Sequence, residues 1–133
     1  MGKIHGFTLI EMLITVSLIA ILSSIAYPSY LQYVAKGNRS EGIAALMRVA
    51  NLQEQYYLDH RNYVSDMTEL GLDADPFISE NGHYSIVTTT ADSGASFTIT
   101  AEALGTQFQR DGECSPLTIT DTGIRGPSKE CWK

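Results

Sequence analysis

Charge is scarce in this chain of 133 residues, with only 18% Asp, Glu, Lys or Arg. That scarcity excludes a disordered polyelectrolyte, and 4 prolines with 11 glycines exclude a collagen-like or proline-rich repeat. Two cysteines without a CxxC pair exclude that redox motif, and without neighbouring histidines they cannot build a structural zinc site. There is no Walker loop, no dinucleotide-binding glycine fingerprint and no HExxH. Neither His60 nor His83 has a motif that sets it beside a serine or cysteine nucleophile, so both read as solvated surface histidines. No catalytic residue, metal or cofactor is expected, and the length leaves room for one small domain.

The scarcity of charge is also uneven. Met12 to Ala35 is a run of 24 residues without a charged side chain, whereas Asn51 to Lys133 carries 13 acidic residues against 5 basic ones. As a helix the run would measure about 36 Å, enough for the roughly 30 Å hydrocarbon core of a bilayer. An ordinary secretory signal, with Lys3 as its basic residue, an apolar core from Leu13 to Ile25 and cleavage near Ala26, fits poorly. The stretch before the run is too short, the run too long, and an acidic residue, Glu11, stands where it begins. A carboxylate at the centre of a membrane helix costs roughly 2.5 to 3.5 kcal/mol, so Glu11 needs a partner or a position near the interface.

The string Gly6-Phe7-Thr8-Leu9-Ile10-Glu11 resembles the processing site of type IV pilins and pseudopilins. The resemblance implies cleavage after Gly6 by a prepilin peptidase and N-methylation of Phe7. It divides the chain into a leader (1–6, taking His5 with it), a hydrophobic transmembrane and assembly helix (7–35) and a globular head (36–133). It also supplies Glu11 with a counter-charge, the methylated amine of a neighbouring subunit. The implied partners are other pilin subunits, major and minor, the peptidase, the inner-membrane assembly platform and, before assembly, the membrane itself. Ala20 stands where many family members have glycine, a harmless change in a helix. Pro28 removes a helical hydrogen bond, and Gly37, Asn38 and Gly42 form a second weak stretch, so a bent or partly melted rod is expected. Asn38-Arg39-Ser40 matches a glycosylation sequon, a triplet common by chance.

Beyond the run, Ile43, Leu46, Met47, Ala50, Glu54 and Tyr57 recur at three and four, a helical stripe to be laid against a sheet, with the helix ending near Arg61. Residues 62–81 are rich in Asp, Gly and Pro and read as a connecting loop with a possible helical turn. Asp73, Asp75 and Glu80 lack the spacing of an EF-hand and read as a solvated acidic loop. Strand character follows at His83–Thr90, at Ser96–Ala103 with Phe97, Ile99, Ala101 and Ala103 on one face, and at Pro116–Thr122 with Leu117 and Ile119 on one face. The short connections 91–95 and 104–115 make these strands antiparallel neighbours. The expected class is α+β: the pilin fold, with a long N-terminal helix packed on a small antiparallel sheet of three to four strands.

An even cysteine count in a body that leaves the cytoplasm points to a Cys114–Cys131 disulfide, worth roughly 3 kcal/mol by loop entropy. The C-terminal loop so closed resembles the disulfide-bounded region of type IVa pilins. Gln53-Glu54-Gln55-Tyr56-Tyr57-Leu58, Asn62-Tyr63, the Leu70-Gly71 turn and Cys131-Trp132 bring the resemblance nearest to PilE-type minor pilins. The implied function is structural, a minor pilus subunit that polymerises through its helix and serves pilus assembly, twitching motility, adhesion or DNA uptake. The implied location is the inner membrane, single-pass with the head in the periplasm, and then the extracellular filament. The alternatives are a type II secretion pseudopilin and a DNA-binding or adhesive tip pilin. DNA is disfavoured as a partner because the acidic body repels phosphate unless Arg110, Arg125, Lys129 and Lys133 cluster locally.

Overall fold

The computed structural model describes residues 2 and 6–133. Met1, Lys3, Ile4 and His5, on which most of the expected leader falls, lie outside the described residues. The chain forms two compact units, Met1–Tyr33 and Val34–Lys133. Helix α1 runs from Leu9 to His60, 52 residues, and contributes to both.

The expected melting is not observed: α1 is helical through Pro28, Gly37 and Gly42. At the second weak stretch the reason is anchorage. Asn38 donates to Gln107 at 3.1 Å, and Arg39 is held by Asp111. A Cβ on Gly42 would stand 3.0 Å from the Tyr84 ring, so here glycine is what lets helix and sheet approach. Asn38 of the sequon thus lies within a helix, half-buried, with its amide donating to Gln107.

The buried face of α1 also departs from the expected stripe. Ala35, Arg39, Gly42, Leu46, Val49 and Gln53 point inward at alternating steps of four and three, joined by Ala45. Met47 and Glu54 face outward, and Ile43 and Ala50 lie at the margin. The observed face is rotated from the expected stripe because two polar residues, Arg39 and Gln53, lie on it. Both are buried and paired. The helix ends at His60, and Arg61 takes a positive φ of 60°, so the expected stop is observed.

Five strands, β1 (Phe77–Ile78), β2 (Tyr84–Ala91), β3 (Ser96–Ala103), β4 (Leu117–Thr120) and β5 (Arg125–Gly126), form one antiparallel sheet in chain order. The three central strands are the expected ones, with the expected faces: Phe97, Ile99, Ala101, Ala103, Leu117 and Ile119 are all buried. The two extra strands are two-residue edges without a readable alternation. Segment 104–115 is more than a connection, since it holds helix α2 (Gly105–Asp111) and a 3-10 turn, Gly112–Cys114.

The core joins Ala45, Leu46 and Val49 of α1 to Tyr84, Ile86, Ile99 and Leu117 of the sheet, and Met67, Leu70 and Leu72 of the intervening loop close it. That loop is tied down through main-chain atoms. Gln53, fully buried, donates to the Val64 carbonyl and accepts from the Val64 N–H. Glu54, on the outer face, accepts from the Tyr63 hydroxyl at 3.1 Å; burial first, then this bond, pushes that phenol up to about 12. Tyr63 N donates to the Gly94 carbonyl at 2.8 Å, and a Cβ on Gly94 would lie 2.8 Å from the Tyr63 carbonyl oxygen. Gly94, at φ +85°, satisfies both the turn and the contact.

Candidate functional site

Gly6 and Phe7 precede the first turn of α1 and are exposed, Phe7 at 83%. The helix start is a reciprocal cap. Thr8 donates its N–H to Glu11 Oε2 at 3.1 Å and its hydroxyl to the same oxygen at 3.2 Å, while Glu11 N–H donates to Thr8 Oγ1 at 3.3 Å. Thr-Leu-Ile-Glu is therefore a capping box, a T-x-x-E signal readable in the sequence but masked by the processing motif that contains it. It satisfies orphan amides of the first turn and sets a carboxylate at the positive end of the helix.

Beyond it three hydroxyls of the apolar run bond back to its own carbonyls, while its apolar side chains stay open. Thr15 donates to the Glu11 carbonyl at 2.8 Å, Ser17 to Leu13 at 2.7 Å and Ser24 to Ile21 at 2.7 Å. The large apolar side chains from Phe7 to Tyr33 are exposed, except for the half-buried Leu31. Such a surface is stable only against lipid or matching helices.

In the second unit a buried polar cluster joins α1 to α2. Arg39 Nε donates to Asp111 Oδ2 at 2.6 Å and Nη2 to Asp111 Oδ1, a bidentate pair that raises the guanidinium pKa. Gln107 donates to the Ala35 carbonyl at 2.9 Å and to the Tyr84 hydroxyl at 3.1 Å. Outside it Glu41 clasps the loop before β2. It accepts from the Asn81 N–H at 2.8 Å and from the Asn81 amide at 3.1 Å, and pairs with His83 Nδ1 at 2.7 Å. Burial pushes the Glu41 carboxyl up, but hydrogen bonds from His83, Ser79 and Asn81 outweigh it and hold the group at about 2. His83 is thus a half-buried partner of Glu41, correcting its reading as a solvated residue. His60 is exposed and stacks on Tyr56 at 3.9 Å.

Cys114 and Cys131 are disulfide-bonded, with Cα atoms 5.5 Å apart. The bond ties the Gly112–Cys114 turn to a final 3-10 turn, Lys129–Trp132. Within this loop Trp132 donates to the Gly126 carbonyl at 2.8 Å, and the Arg125 guanidinium lies 5.1 Å from the Trp132 ring centroid. Gly123, Ile124, Arg125, Lys129 and Trp132 line a groove of about 510 Å³. Of the four basic residues near the C-terminus, two line this groove, while Lys133 is paired with Glu130 at 2.5 Å and Arg110 ends α2 elsewhere. Asp73 and Glu80 share a different groove with Arg48. No group of three or more His, Cys, Asp or Glu side chains converges among the described residues.

Comparison with known proteins agrees with this layout. Residues 1–27 match the family described as "Prokaryotic N-terminal methylation motif", and residues 28–118 match "Type IV minor pilin ComP, DNA uptake sequence receptor". Fimbrial protein EcpC of Eikenella corrodens is 33% identical over 127 residues, covering 95% of this chain and 80% of that protein. The wide-pilus major component PilA4 of Thermus thermophilus is 35% identical over 96 residues, 70% of this chain and 71% of that protein. The major pilin PilE1 of Neisseria gonorrhoeae is 34% identical over 71 residues, 53% of this chain and 43% of that protein. The fold is similar to that of a type IV pilin from Shewanella oneidensis, with a TM-score of 0.57 at 19% identity, covering 74% of this chain and 98% of the other. With an apolar helix, a five-stranded sheet and a disulfide-closed C-terminus, this chain belongs to the type IV pilin family.

Proposed function

We propose that the chain is a minor subunit of a type IV pilus, made as a single-pass inner-membrane precursor with its head in the periplasm and then polymerised into an extracellular filament. The observation that carries this reading is the charge-free run, whose large apolar side chains from Met12 to Tyr30 are exposed among the described residues. In this reading a prepilin peptidase cleaves after Gly6, which precedes α1 and is open to a protease, and N-methylates Phe7. The leader is residues 1–6, the membrane and assembly helix 7–35 and the head 36–133. Glu11 meets the amine of a neighbouring subunit, Pro28 gives the helix a point at which to adjust on packing, and the assembly platform extracts the subunit from the lipid.

Glu11→Val tests this: cleavage after Gly6 is retained and filament incorporation falls. Normal incorporation of the Glu11→Val subunit overturns the role of Glu11. Immunogold labelling of sheared pili separates the forms, since sparse or terminal decoration fits a minor subunit, uniform decoration a major one, and absence a secretion pseudopilin.

A second reading, DNA recognition by the head, is favoured by the match to a DNA uptake receptor family and by the Arg125–Lys129–Trp132 groove. A guanidinium over a half-buried indole beside a lysine offers phosphate and base-stacking contacts together. A mobility shift that weakens with salt and is lost in Arg125→Ala supports it. No shift at low salt removes it.

A further inference from the structure

The membrane-anchored reading leaves a question of depth. The run of 24 charge-free residues, about 36 Å as a helix, exceeds a roughly 30 Å hydrocarbon core by about 6 Å. Nothing in the distribution of charge fixes where along that excess the chain rests.

Tyr27, Tyr30 and Tyr33 lie within seven residues at the end of the first unit and hold three of the chain's seven tyrosines. They recur at steps of three on one helix and form a stripe about 120° wide. They are 65%, 64% and 77% exposed, and their hydroxyls make no hydrogen bond among the described residues. From Ile10 to Tyr30, both within α1, the helical rise is about 30 Å, the thickness of the hydrocarbon. We propose that this stripe is an interfacial anchor that binds the lipid headgroup boundary on the side of the head and sets the depth of the precursor before assembly. A phenol suits this layer because its ring is apolar and its hydroxyl can exchange hydrogen bonds with headgroups and water. With Tyr30 at that boundary, Ile10 reaches the opposite one and Glu11 lies within about 2 Å of it, where its cap with Thr8 supplies hydrogen bonds that lipid cannot. The stripe thus removes the 6 Å of play and holds Glu11 close to its exit from the lipid.

The test uses the full chain in vesicles of phosphatidylethanolamine and phosphatidylglycerol, at low protein-to-lipid ratio, with lipids brominated at a shallow (6,7) or a deep (11,12) position of the acyl chain. Trp132 is native and lies in the head, so quenching gained on adding a new tryptophan reports that site. In Tyr30→Trp the shallow lipid quenches about twofold more than the deep one, and in Leu18→Trp the order reverses. Replacing Tyr27, Tyr30 and Tyr33 by Leu brings the Leu18→Trp ratio to about one, because the helix regains its play. Equal or deeper quenching of Tyr30→Trp, or an unchanged Leu18→Trp ratio in the triple variant, overturns the anchor. Loss of Tyr30→Trp quenching as the protein-to-lipid ratio rises assigns the stripe to a second copy and also overturns it. Failure of the parent chain to float with vesicles sinks the membrane reading itself, a result distinct from the others.

Discussion

Along α1, residues up to Tyr33 leave side chains as large as Leu22 and Ile25 exposed, whereas from Ala35 every third or fourth residue is buried, Arg39 and Gln53 among them. The first unit turns the hydroxyls of Thr15, Ser17 and Ser24 back onto its own carbonyls and leaves its apolar surface open. The second buries its apolar surface and spends polar side chains inside to fix which surfaces meet. One helix thus follows two rules, and each unit responds to substitution accordingly.

The comparison predicts its largest stability effect where the second unit buries charge. Arg39→Ala strands Asp111 in the core and lowers unfolding stability by about 3–5 kcal/mol in urea titration of the full chain in detergent; the Arg39→Met, Asp111→Leu double variant recovers most of that loss. A double variant as weak as the single one refutes the assignment of the loss to an unpaired charge. Next comes the disulfide: Cys114→Ser with Cys131→Ser costs roughly 3 kcal/mol, and an unchanged melting temperature would refute its structural role.

The Glu41 clasp ranks third. Its carboxyl titrates at about 2 when folded, below its unfolded value of about 4.3, so its contribution is complete above the unfolded value and is lost as pH falls toward 2. Glu41→Gln removes charge-assisted hydrogen bonds worth about 1.5–3 kcal/mol near neutral pH, and the difference from the parent narrows between pH 4.5 and 2. A constant difference across that range breaks the prediction. The smallest effect belongs to the first unit. Leu18→Ala shifts unfolding of the second unit by no more than about 0.5 kcal/mol while lowering incorporation into filaments, and a large stability loss would erase the contrast between units.

Features that depend on local pattern were legible in the sequence: the charge-free run, the α1 stop at Arg61, the three central strands and their faces. What escaped depends on partners distant in sequence. Nothing local marks Arg39 as buried, because its partner Asp111 is 72 positions away and is brought beside it by α2. Gly42 reads as a helix weakness until the Tyr84 ring takes the space. His83 looked solvated because Glu41, its partner, is 42 positions away. At the candidate site the capping box was local and readable, while the Arg125–Trp132 stack needed the fold of the disulfide loop.

Gln53 holds the loop after α1 by reading only the amide and carbonyl of Val64, two groups that every residue except proline can offer. Position 64 can therefore change its side chain in any way that tolerates partial burial and keep its attachment. A surface segment fastened by its main chain is free to diversify its outward residues under selection, without the helix beneath it having to change in step.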